Sequence, residues 1–159
     1  MGSFKFKGGV ILSAYCRLDK LYESLEKTND VIVVDAPFLK ATKALTYIDN
    51  DQFCWIALNK KAISSPREEL CILQEEKAHY DVGIIPNNYL SNSYSDRIVR
   101  ERNEYKAKRK AVETLIPREK LLNVMKELPT IYIEALADAF DVTSDFMAEA
   151  LKIYGYDIF

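Results

Sequence analysis

Residues 66–82 read PREELCILQEEKAHYDV, and the fold turns on reading this stretch as one helix. Ser65 offers a hydroxyl at the N-cap position, and Pro66 fits a first turn whose amide would be orphaned anyway. Glu68 and Glu69 put negative charge at the positive helix end. Leu70, Leu73 and Ala78 or Lys77 recur on successive turns, and Gly83 follows as a stop. Cys71 and Ile72 add apolar surface, so the helix is expected to be substantially buried.

Upstream of it, Phe53 to Leu58 and Ala44 to Ile48 read as two strands flanking a hairpin turn at 49–52. Val31 to Val34 reads as a buried strand, stopped at Asp35 and Pro37. A first helix is expected over about Ala14 to Lys27, where Leu18, Leu21, Tyr22 and Leu25 recur at helical spacing. Downstream, residues 84–95 have loop composition, Asp96 to Thr114 returns to helical spacing, and Arg118 to Glu127 is a short helix. Thr130 to Phe140 and Ser144 to Tyr154 form a last helical pair. The expected class is α+β: a small N-terminal β-sheet, a helical core of zincin type, and a C-terminal helical pair. The expected division is 1–128 for the main domain and 129–159 for an acidic pair packed on it.

The chain has 159 residues, 48% hydrophobic and 29% charged, which excludes a disordered polymer and suits one compact domain. No apolar run approaches the length of a membrane span, and no signal peptide is evident, so a cytoplasmic location is expected. Cys16, Cys54 and Cys71 are odd in number and sit in apolar settings, as reduced core thiols do. The net charge of −2 hides an uneven distribution. Residues 1–96 carry −2, residues 97–128 carry +5, and residues 129–159 carry −5.

The single histidine is His79. Glu75 lies four residues before it, one turn away on the same helix face, and such a pair can share a divalent cation. Glu76 is rotated by about 100° from Glu75, within reach of a water beside that cation without itself being a ligand. This is the logic of H-E-x-x-H with the first histidine replaced by glutamate. Adjacent glutamates on a buried helix also call for a compensating positive charge.

Three segments together, residues 73–80 (LQEEKAHY), 104–107 (EYKA) and 112–117 (VETLIP), resemble the ImmA/IrrE family of metallo-endopeptidases, in particular members from phages and mobile elements with an E-E-x-x-H motif. The resemblance covers roughly residues 15–155. It implies that Glu75, His79 and Glu104 are metal ligands and that Glu76 is the catalytic base. Glu101, one turn from Glu104, is the alternative ligand, and Ala107 favours Glu104 because a small residue lets two helices approach. Residues 108–110 depart from the family pattern. The implied cofactor is Zn2+, with Mn2+ as a second candidate because oxygen ligands weaken the preference for zinc. Two carboxylates and one imidazole leave the centre electrically neutral, so a slow, selective protease, or one that retains its metal weakly, is expected. The implied partner is a helix-turn-helix repressor, cleaved to relieve repression.

Further expectations concern the surroundings. The strand Phe53 to Leu58 is a candidate edge for substrate pairing, against an ordinary strand with Trp55 in the core. Tyr47, Tyr80 and Tyr105 are candidates to stabilise an oxyanion. Two rival functions are a non-catalytic repressor-binding adaptor and a DNA-binding regulator. For the latter, the basic helix around Arg97 to Lys110 and the helix-turn-helix echo at 136–146 speak in favour. Asp141 in the turn and the tail's acidic charge speak against nucleic acid.

Overall fold

The computed structural model describes residues 3–83 and 94–156. Its class is α+β. Strands β1 (Phe4–Phe6) and β2 (Gly9–Ile11) form an antiparallel hairpin. Helix α1 (Ala14–Glu26) follows, then β3 (Val31–Asp35), β4 (Ala44–Ile48) and β5 (Cys54–Leu58). A short 3-10 turn at Lys60–Ala62 leads into α2 (Pro66–Asp81), α3 (Tyr94–Leu115), α4 (Arg118–Glu127), α5 (Ile133–Phe140) and α6 (Ser144–Tyr154).

The three-stranded sheet has the order β3-β5-β4, with β5 parallel to β3 and antiparallel to β4. The strand Phe53 to Leu58 is therefore the centre of the sheet. This corrects its reading as a substrate-pairing edge, since both its sides are already hydrogen-bonded. The hairpin expected at 49–52 is present, and the Asp49 carboxylate organises it. That carboxylate accepts from the Asp51 and Phe53 amides and from Trp55 Nε1 at 2.7 Å. Trp55 is half-buried and stacks on Tyr47, with ring centroids 6.2 Å apart, so it is not a core residue. Alternation explains the two faces: Thr46, Cys54, Ile56 and Leu58 are buried, whereas Leu45 is exposed.

The starts of α1 and α2 obey the cap chemistry. Ser65 Oγ accepts from the Glu68 amide at 3.1 Å, and Ser13 Oγ accepts from that of Cys16. Leu18, Leu21 and Leu25 of α1 and Leu70, Leu73 and Ala78 of α2 enter one core cluster with Ile56 and Leu58. Three boundaries differ from expectation. α3 begins at Tyr94, inside the loop expected over 84–95, the remainder of which lies outside the described residues. α5 begins at Ile133, not Thr130, because the backbone at Leu128 and again at Tyr132 is extended. The β1–β2 hairpin had no sequence expectation at all; Phe6 and Ile11 are the side chains it buries.

The C-terminal pair joins the same core through Leu136, Phe140, Met147 and Leu151. Asp141 closes α5 in the left-handed conformation, with φ at 49°. Glycine usually occupies such a turn because it has no Cβ, and here an aspartate stands there because its carboxylate is needed. It accepts from the Ala14 amide at the start of α1 and from Arg67 Nε of α2 at 2.9 Å. Arg17 of α1 answers by donating to the carbonyls of Leu115, Phe140 and Asp141. Carbonyls orphaned at two helix ends are thus satisfied by one guanidinium. The segment echoing helix-turn-helix is a docked pair.

Candidate active site

Helices α2 and α3 pack along each other, and this brings His79 of α2 to Glu104 of α3. Small residues permit the approach, since Ala78, Ala107 and Ala111 are all fully buried. His79 is 8% exposed, and its Nε2 lies 3.5 Å from Glu104 Oε2. Of the two carboxylates one turn apart on α3, Glu104 is the one the imidazole meets. The Glu104 side chain is 61% exposed, so the pair is open to solvent on that side. His79 Nδ1 is buried without a hydrogen-bond partner.

Glu76 faces the sheet. One of its carboxylate oxygens accepts a hydrogen bond from Thr46 Oγ1 on β4. Burial raises the Glu76 carboxyl above its ordinary value, opposed by the Thr46 hydroxyl and by His79, and reinforced by Glu104. Thr46 is 1% exposed, a polar residue on an otherwise apolar inward face. It had no place among the candidates read from the sequence. The signal was there in the alternation of residues 44–48, where the inward positions are Ala44, Thr46 and Ile48.

Glu75 is turned to another neighbourhood. It lines a cavity of about 200 Å³ together with Lys108, Phe146 and Glu149. Burial pushes its carboxyl up, Lys108 opposes this, and the carboxylates of Glu76, Glu104 and Glu149 add to it. Lys108 also lies 3.9 Å from Glu149. The sequence marked Lys108 only as a departure from a pattern, whereas in the fold it is the cation that faces Glu75.

The donor set suits a divalent cation in kind: an imidazole nitrogen and a carboxylate already meet, and a second carboxylate lies one turn up the same helix. Among the described residues, however, no three His, Cys, Asp or Glu side chains stand close enough together to enclose one ion. Glu75 is the member turned away, toward the cavity it shares with Lys108.

Two of the three tyrosine candidates are accounted for elsewhere. The Tyr80 hydroxyl donates to Asp30 at 2.8 Å, and Tyr47 stacks on Trp55. Tyr105, exposed on α3 next to Glu104, is the remaining one. No family model, curated protein or solved structure matches the chain. Cys54 and Cys71 are buried and Cys16 is half-buried, all three as free thiols. No helix among the described residues is long and apolar enough to cross a membrane.

Proposed function

We propose that this protein is a metal-dependent endopeptidase of the ImmA/IrrE type, and that it relieves repression by cleaving a phage or mobile-element helix-turn-helix repressor in the cytoplasm. The observation that carries this reading is the meeting of His79 and Glu104 across two helices, beside a buried glutamate held at a sheet edge. His79 and Glu104, joined by Glu75, would hold the cation, Zn2+ or Mn2+. When bound, it supplies Lewis-acid polarisation of a scissile carbonyl.

The chain's own residues supply the rest. Glu76 accepts a proton from the attacking water and returns it to the leaving amine nitrogen. Its raised affinity for protons, set by burial, suits both halves of that task. The Thr46 hydroxyl fixes which way the carboxylate points. Substrate would pair along β4, the free edge on the Glu76 side, and not along β5. The bond from the Asn59 amide to the Lys43 carbonyl sets the parity of the β4–β5 ladder, which leaves the Thr46 backbone groups facing outward.

The test is co-expression with the repressor encoded beside this gene, read by mass spectrometry of repressor fragments. Wild type should yield one dominant cut, and Glu76→Gln and His79→Ala should yield none. The adaptor reading has one observation in its favour, the unclosed donor set. It predicts that Glu76→Gln still relieves repression while the repressor stays intact. The DNA-binding reading predicts salt-dependent binding to duplex DNA.

A further inference from the structure

Among the described residues the sheet has a second free edge, β3, on the side away from Glu76. The Cys54 amide donates to the Asp30 carbonyl and the Ala36 amide to the Leu58 carbonyl. In a parallel ladder these two bonds fix the parity: the backbone groups of residues 32 and 34 face β5, and those of 31, 33 and 35 face away. The Val31 amide is taken by the Thr28 carbonyl. The Val31 carbonyl, both Val33 groups and the Asp35 amide are left for a strand that none of the described residues supplies.

A cavity of about 280 Å³ lies along this edge. Its strand-side wall includes Val31, Val33 and Asp35, the same residues whose backbone is unsatisfied, and Tyr22, Leu25 and Glu26 of α1 form the opposite wall. Proteins usually blunt such an edge with proline, lysine or a bulge, and Val31 to Asp35 has none of these. We propose that the groove receives an extended segment of another protein as a fourth strand, placing one large apolar side chain in the cavity between α1 and β3.

Charge narrows the occupant. Glu26 and Asp35 line the cavity and Asp30 adjoins the strand, whereas Lys60 at the rim lies over the Tyr22 ring and 3.7 Å from Glu69. The partner should therefore carry lysine or arginine beside its apolar residue. A second copy of this chain fits poorly. Antiparallel pairing of two β3 strands about Val33 would set Asp35 of each copy opposite Val31 of the other and bring no lysine or arginine to the acidic cavity. Main-chain bonds would supply affinity and the cavity would supply selectivity.

The experiment uses the full chain, isotopically labelled, and pooled seven-residue peptides with leucine at the centre and lysine on both sides. Before peptide is added, the Val33 and Asp35 amides should exchange with solvent much faster than those of Ile32 and Val34. Peptide should slow Val33 exchange by about tenfold or more and shift the Val33 and Asp35 resonances. Val33→Pro removes an edge amide that no internal bond uses and should abolish the effect. Should that variant fail to fold, the same pool N-methylated at its three central residues, added to wild type, must bind about tenfold more weakly. The proposal is overturned by equal binding of the N-methylated pool, or by an aspartate-centred pool binding as well. Shifts centred on β4, or no shift at all, overturn it too. Self-association with Val33 already protected would make the occupant a second copy and also overturn it.

Discussion

Replacing Asp141 by asparagine isolates the charge that docks the C-terminal helices. Asparagine tolerates the left-handed conformation, so the backbone at φ 49° is kept. What changes is the acceptor. The native carboxylate takes the Ala14 amide on one oxygen, and on the other Arg67 Nε at 2.9 Å and a terminal Arg67 nitrogen at 2.7 Å. An amide can face only one of these partners and turns an NH2 toward the other. Bonds to charged groups contribute about 1.5–3 kcal/mol each when buried, and here both side chains are about one-third exposed. A net loss of about 2 kcal/mol is expected. In urea this moves the midpoint down by about 1 M at unchanged slope, and the melting temperature by about 4–8 °C. Asp141→Gly keeps the conformation and loses every side-chain bond. Asp141→Ala loses them too and adds about 1 kcal/mol of left-handed strain, so alanine should be worse than glycine.

The pH dependence follows from the same contacts. Burial pushes the Asp141 carboxyl up, but the Ala14 amide and Arg67 outweigh it and hold the group below its ordinary value. The stabilisation is therefore complete above the unfolded value near ~3.9 and is lost as pH falls through the lower native one. Wild type and Asp141→Asn should differ by a constant amount from pH 7 down to about 4 and converge only below it, as the native carboxyl takes up its proton. A difference under about 0.5 kcal/mol at pH 7, or one that stays constant on further acidification, would refute the account.

Three further outcomes are expected. Thr46→Val removes the hydroxyl that lowers the Glu76 carboxyl, so the acidic limb of the proteolysis rate profile should move to higher pH. Glu68 is held at about 2 by Lys43 and by the Ser64 amide, so Glu68→Gln should lower the urea midpoint at pH 7 and match wild type as pH falls toward 2. Burial pushes the Cys54 and Cys71 thiols up to about 11, so in native protein iodoacetamide at pH 8 should modify Cys16 first, and all three only after denaturation.

Local chemistry made much of the fold legible. The Ser65 cap, Pro66 and the spacing of Leu70, Leu73 and Ala78 define α2 without help from the rest of the chain, and α1, α4 and α6 follow from the same period. These signals act within one or two helical turns, so the sequence alone carries them. The juxtaposition of His79 with a glutamate was legible as a pattern of spacings, although Glu101 and Glu104 could be separated only by the packing of α2 on α3. Strand order was not legible, because a five-residue apolar run reads alike at the centre and at the edge of a sheet. Which strand becomes the edge depends on which partners the backbone finds far along the chain. The orientation of Glu75 toward Lys108, the Thr46 hydroxyl on Glu76 and the double duty of Asp141 belong to that second kind. In each, residues at least 30 positions apart in sequence meet, and only the folded chain fixes the distance between them.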